Sequence, residues 1–254
     1  MDFSGFFYPK QVKYLTSIPQ VPETIAKMKV IVYKAKVDPA TLKDKAEEMK
    51  NELFIKRFSK PKLKDIHVVS VDKNYEPYVL VDAKYRVEYF IKKVYSIEVT
   101  EKTKEVKIHG ESFTPQLVAI PDTIPEQFRN VVTLEGQERS YYEEKVYFIL
   151  DKNGNEISPD QIPIAPSEEK PKKLLKEFSK RTEQLKMSDQ EIILLAKTKL
   201  IKRPEDMDAV DSEVFQITEY ATIYNPIYII TFRNEKTKEE KSVRIDGVTG
   251  DVIE

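Results

Sequence analysis

Cysteine and tryptophan are both absent from the 254 residues, and glycine occurs only six times. Without cysteine there are no disulfides, thiolate metal sites, iron–sulfur clusters or cysteine nucleophiles. Six glycines provide no phosphate-cradling loop and argue against a nucleotide fold of the usual kind. An excess of one charge is missing too: 42 Lys and Arg stand against 43 Asp and Glu, for a net charge of −1. That balance creates no global field to draw in nucleic acid or an anionic membrane. No apolar run approaches the roughly 18 residues of a membrane-spanning helix, and no Gly-X-Ser-X-Gly elbow is present. The opening stretch from Met1 to Lys10 has no basic n-region and no apolar core, so the expectation is a soluble, cytoplasmic protein. What remains is globular in composition, with 40% hydrophobic and 33% charged residues. Its richness in Glu, Lys and Ile suits a thermophile.

Punctuation divides the chain. Residues 1–28 form a proline-rich arm (Pro9, Pro19, Pro22) with aromatic anchors Phe6, Phe7, Tyr8 and Tyr14. Val30–Tyr33 reads as a strand. Asp38-Pro39 opens a helix, with Asp as N-cap and Pro at the first helical position. Leu42, Ala46, Met49 and Leu53 line one face of that helix, and Pro61 bounds it. A strand is expected at Ile66–Val71. Past Pro77 the period becomes two: Val79, Val81, Ala83, Tyr85, Val87, Tyr89 and Ile91 alternate with polar residues, as in a half-buried antiparallel strand. The same parity resumes at Tyr95, and a break is expected near Lys92-Lys93 because single strands of such length are rare. Glu101–Glu105 reads as a charged hairpin tip before a strand at Val106–Ile108.

The second half has the same order. Tyr147–Leu150 reads as a strand and Asp151–Asn155 as a turn. Pro159, Pro163, Pro166 and Pro171 mark a linker, Lys172–Lys186 a basic amphipathic helix, and Ser188-Asp189-Gln190-Glu191 a capping box opening another helix. Strands are expected at Val214–Ala221 and Ile227–Phe232. The tip Glu235–Glu239 and a strand at Val243–Ile245 follow. Tyr75-Glu76-Pro77 is echoed by Tyr224-Asn225-Pro226. Val106-Lys107-Ile108-His109-Gly110 is echoed by Val243-Arg244-Ile245-Asp246-Gly247. The expected fold is therefore α+β: two related units of antiparallel sheet packed with helices, by internal duplication. The units span 29–118 and 172–254, joined by a hairpin and proline-rich linker at 119–171.

The C-terminal pattern resembles PepSY-like domains. The likeness rests on Tyr228–Phe232, the charged tip, and Val243-Arg244-Ile245-Asp246-Gly247-Val248-Thr249-Gly250, over about the last sixty residues. In the first half His109 replaces the Asp, and Glu111-Ser112-Phe113 replaces the Val-Thr-Gly turn. The resemblance implies a small module of a helix and antiparallel strands. Such modules accompany secreted peptidases or membrane proteins, and the inhibitory role proposed for them is not carried over to a chain with neither a signal sequence nor a peptidase motif.

Candidate chemistry is sparse. His67 and His109 are the only histidines, and neither sits in a helical metal-binding spacing, so no metal and no cofactor is expected. Asp246 with Gly247 and Gly250 reads as turn architecture rather than a catalytic carboxylate. Asp151–Asn155 departs from a calcium loop, since Ile162 stands where a bidentate Glu belongs. The residues that could carry an interaction are Tyr75, Pro77, Tyr224 and Pro226 at strand bends, Lys84, Arg86 and Phe90 on the wet face of the alternating strand, and Lys173, Lys176 and Lys180 on the basic helix. The sequence thus points to a non-enzymatic binding or assembly module. It would engage a protein or peptide partner through sheet edges or a groove between the two units, and it is compatible with self-association. The alternatives are an Asp/Glu/His-dependent hydrolase or metal enzyme, and, less favoured, nucleic-acid binding through helix 172–186.

Overall fold

The computed structural model describes residues 20–55, 62–121, 125 and 127–253. The aromatic anchors of the N-terminal arm, Pro9, Pro19 and Pro61 lie outside the described residues. Three long strands dominate: β3 (Ile66–Val99), β7 (Phe128–Leu150) and β9 (Ala209–Asn234). They belong to a nine-stranded sheet with the order β11–β10–β9–β3–β7–β6, where β6 is Gln116–Ala119, β10 Glu240–Asp246 and β11 Val252–Ile253. Off this path, β1 (Glu23–Ile25) and β2 (Lys29–Val32) pair in parallel with β9, and β8 (Glu156–Ile157) pairs with β7. A separate two-stranded sheet joins β4 (Val106–Ile108) to β5 (Glu111–Phe113).

The chain forms two compact units. Among the described residues, one comprises those within 20–84, 145–201 and 215–253; the other comprises those within 85–144 and 202–214. In the first, helix α1 (Pro39–Phe54) starts as its sequence dictates: Asp38 Oδ1 accepts the Ala40 N–H at 2.7 Å and Pro39 occupies the first turn. Its Leu42, Ala46 and Phe54 pack on Ile66, Tyr228, Ile230, Phe232, Val243 and Ile245. Helix α3 (Asp189–Leu200) opens with the expected capping box, Ser188 and Glu191 bonding each other reciprocally, and buries Ile192, Ala196 and Leu200.

The α+β duplication is overturned. The described residues are mostly strand in one large sheet, and the two halves are not copies. The second tip joins adjacent strands, since β9 and β10 pair directly from Arg233↔Glu240 to Ile227↔Asp246. The first tip instead leads from β3 into β4, whose partner is β5. His109 and Gly110 form the two-residue loop of that small hairpin, with φ of 51° and 90°, the positive pair that a type I′ turn requires. Asp246-Gly247 by contrast leaves the main sheet. Identical short strings here fill different topological positions.

Three local expectations also fail. No break occurs at Lys92-Lys93, because β3 runs for 34 residues. Backbone pairing to β7 sustains it where side-chain burial no longer does. The Tyr-X-Pro elements lie inside strands, not at their starts. Pro226 falls where the edge of β9 changes partner, from β2 up to Tyr224 to β10 from Ile227, a point at which a missing donor costs no ladder bond. The basic helix is shorter than expected: α2 covers only Pro171–Glu177, then a 3₁₀ turn runs over Ser179–Arg181. Phe178 ends it by packing edge-on against Tyr75, ring centres 5.5 Å apart, while Thr182 Oγ1 donates to the Phe178 carbonyl.

Candidate functional site

Of the residues singled out from the sequence, Tyr75, Pro77, Tyr224 and Pro226 pack inside strands. Tyr75 and Pro77 are buried in β3, and Pro226 is buried in β9. Tyr224 is half-buried and its carbonyl accepts the Tyr33 N–H. The Pro226 carbonyl accepts the Gly247 N–H, and a Cβ on Gly247 would meet that oxygen at 2.9 Å. These contacts hold neighbouring segments together. Phe90 and Lys84 are half-buried in β3, and the Phe90 carbonyl accepts the Asp208 N–H. Lys173, Lys176 and Lys180 are exposed. Lys173 lines a shallow groove of about 300 Å³ with Lys34, Lys170, Glu168, Glu169 and Glu177, where acids match bases. His67 is exposed on β3 and His109 sits in its hairpin turn. Among the described residues no three metal-ligating side chains converge. Asp246 is a turn residue, as read: its Oδ1 accepts the N–H groups of Val248 and Thr249 at 2.6 and 2.9 Å, and its Oδ2 accepts the Asn225 amide at 2.6 Å. Asp151 likewise closes its own turn by accepting the Asn153 and Asn155 N–H groups.

A polar cluster that the sequence did not reveal lies in the first unit. Glu76 accepts from Lys152 Nζ at 2.7 Å and Arg244 Nη2 at 3.3 Å. Glu183 accepts from the same two cations at 2.6 and 3.0 Å. The four charges close a neutral ring, with the Glu76 side chain only 9% exposed. Nearby, burial first, then the Glu76 and Asp246 carboxylates, push the Tyr78 hydroxyl well above its ordinary value. Each carboxylate is held by two cations, an arrangement that fixes the Thr182–Glu183 segment and the Asp151 turn to the sheet. It positions no base and no nucleophile. No sequence signal could have found it, because its members come from four separated segments.

The second unit exposes hydrogen-bonding capacity. On the side of β7 away from β3, β6 pairs only from Gln116↔Val131 to Ala119↔Phe128. The Ile120 N–H donates to the Gln127 carbonyl at 2.8 Å, so the hydrogen-bonded positions on this side are 127, 129 and 131. The Asp151 N–H bonding the Asn155 carbonyl keeps the same odd parity at the far end of the strand. The residues facing outward beyond β6 are therefore Thr133, Glu135, Gln137, Arg139, Tyr141 and Glu143. No described strand pairs with β7 over 132–144 on this side. Their side chains form an exposed row on one face, where Arg86, found from sequence, does take part. Arg86 donates to Glu88 at 2.8 Å, lies 3.7 Å from Glu143, and stacks 5.2 Å from the Tyr141 ring centre. Arg139 bridges Glu88 and Asp211, both at 2.5 Å. On the other face Tyr95 lies over Gly136, where a Cβ would meet the ring at 3.1 Å, and its hydroxyl donates to Glu138.

The unit is pinned on its β3–β9 side. Tyr85 Oη donates to Glu213 at 2.5 Å, and Arg203 binds the same carboxylate through two bonds of 2.9 and 2.6 Å. Burial raises the Glu213 carboxyl, but Arg203 and the Tyr85 hydroxyl outweigh it and hold the group below its ordinary value. No described helix is long and apolar enough to cross a membrane. No protein-family model, no curated protein and no solved structure matches this chain.

Proposed function

We propose that the protein is a binding module that takes up an extended protein segment along the open edge of β7, rather than a catalyst. The observation that carries this reading is the run of outward-facing backbone groups from Thr133 to Glu143, unpaired by any described strand and interrupted by no proline. An edge of this kind supplies one donor and one acceptor at every second residue, and strand addition is a recurring way to bind peptides. β3 holds the strand from its other side, so the edge is ordered before anything binds. That order removes part of the entropic cost of association. The carboxylates of the Glu76–Lys152–Glu183–Arg244 ring are neutralised by their own partners, which favours a structural role for them.

The experiment is binding of proline-free thirteen-residue peptides of high β-propensity, followed by fluorescence anisotropy, to the wild type and to Gln137→Pro. The variant removes an outward N–H at the centre of the edge. Loss of binding in the variant is expected. Unchanged affinity would remove the edge as the site.

A further inference from the structure

We propose that Asn153-Gly154, in the turn between β7 and β8, is the chain's site of spontaneous deamidation, and that the anchoring of this turn through Lys152 sets its rate. Asparagine occurs seven times, and only Asn153 is followed by glycine. The attacking atom in this reaction is the backbone nitrogen of the next residue, and a residue without Cβ hinders its approach least. Asn153 is exposed, and Gly154 is held at φ of 86°, where a Cβ would collide with the Met187 thioether. Asp246-Gly247 could close the same ring with loss of water, but it is locked. Its carboxylate is buried and accepts bonds from Asn225, Val248 and Thr249, and the Gly247 N–H donates to the Pro226 carbonyl at 2.8 Å.

The reaction needs only water. The Gly154 nitrogen gives up its proton to a solvent base and bonds to Asn153 Cγ. The Cγ–Nδ2 bond breaks, and Nδ2 takes up a proton and leaves as ammonia. Water then opens the five-membered imide. Cleavage at Cγ leaves aspartate. Cleavage at the backbone carbonyl of residue 153 leaves isoaspartate, with the main chain rerouted through Cγ and one methylene longer.

In the folded turn the nitrogen is held. The Gly154 N–H donates to the Asp151 carbonyl at 3.0 Å, and Asp151 Oδ1 accepts the Asn153 and Asn155 N–H groups, both at 2.8 Å. The turn is also pinned from outside. Lys152 Nζ reaches Glu183 at 2.6 Å and Glu76 at 2.7 Å, and the Lys152 carbonyl accepts the Lys186 N–H at 2.9 Å. Ring closure therefore waits on opening of the turn, and loosening Lys152 raises the open fraction. The product keeps the turn open. Asn153 Nδ2 stands 3.5 Å from Asp151 Oδ2, so a carboxylate in its place sets like charges side by side. Deamidation is thus a one-way release of the segment that holds Lys152 against Glu76 and Glu183.

The test holds the full-length protein in warm, mildly alkaline buffer and follows each asparagine by peptide mass mapping, with chromatography to separate aspartate from isoaspartate. The same chain unfolded in urea is the reference. The expected result is that Asn153 converts well ahead of Asn155, its exposed neighbour in the same turn, with isoaspartate among the products and Asp246-Gly247 unchanged. Lys152→Ala should speed the folded reaction about fivefold and leave the rate in urea as it was. Glu183→Gln, which weakens the anchor and keeps the Lys152 pair with Glu76, should give a smaller acceleration. Exchange protection at the Lys186 amide should fall as the product accumulates. Conversion of Asn153 no faster than that of Asn155 in the folded protein would overturn the site. Equal folded rates for the wild type and both variants, or an acceleration that is as large in urea, would overturn the control by Lys152.

Discussion

Proline scanning along β7 should show a sharp alternation. At Gln137 the backbone N–H faces the open edge, so proline there removes no bond to β3. The residue before it, Gly136, tolerates the restriction that a following proline imposes. The expected cost is below about 1 kcal/mol, the scale of fixing φ away from its strand value. At Glu138 the N–H faces β3. Proline there deletes a ladder bond, leaves a carbonyl unsatisfied and forces the ring into the neighbouring strand, for about 3 kcal/mol. It also displaces the carboxylate that accepts the Tyr95 hydroxyl at 2.9 Å. In a chain of this size 3 kcal/mol corresponds to a fall of roughly 6–12 °C in Tm. Thermal unfolding of Gln137→Pro, Glu138→Pro and the matched alanine variants measures the difference directly. Equal destabilisation by the two prolines would mean that both sides of β7 are paired, and would refute the reasoning.

Other consequences follow from the first unit and from the Glu213 contact. Leu42→Ala opens a hole between α1 and β9–β10 at a side chain 1% exposed, and should cost about 2–5 kcal/mol in denaturant unfolding. Arg244→Ala leaves Glu76 with Lys152 as its one cation; a loss of about 2 kcal/mol is expected, discounted for the partial exposure of the ring, and Glu76→Gln made in the same background should recover part of it. Gly250 has φ of +78°, so Gly250→Ala should cost about 1–2 kcal/mol by melting, with little change in secondary structure by circular dichroism. The Glu213 carboxyl is depressed in the folded state, so its contribution is present above the unfolded pKa and is lost as pH falls through the folded value. Stability measured below about pH 4.3 should therefore drop less in Glu213→Gln than in the wild type.

How much of this was legible in the sequence depends on the type of signal. Caps and turns are local, and Asp38-Pro39, Ser188–Glu191 and Asp151–Asn155 behave as their residues dictate. The two-residue period from Val79 to Tyr89 marked a buried face correctly, because burial writes itself into side-chain alternation. The same logic failed beyond Lys92. There β3 is exposed on both faces, and only backbone pairing keeps it extended. It failed again for β7, whose 23 residues carry charges on one face and mixed residues on the other. The basic helix was cut short at Phe178, which packs on Tyr75 in a contact that no local pattern encodes. The Tyr-X-Pro echo fell inside long strands rather than at their starts, and the similar Val-basic-Ile strings served a small hairpin in one place and the main sheet in the other. An open edge is harder still to read. Side-chain periodicity reports the faces of a sheet, whereas an edge is defined by backbone groups that every residue carries.

The central claim is that no described strand pairs with β7 on one side from Val132 to Glu144. Residue-resolved hydrogen exchange on the free protein tests it most directly. The account predicts alternation: slow exchange at Leu134, Gly136, Glu138, Ser140 and Tyr142, whose N–H groups face β3, and fast exchange at Thr133, Glu135, Gln137, Arg139, Tyr141 and Glu143. Uniform protection along the strand would contradict it.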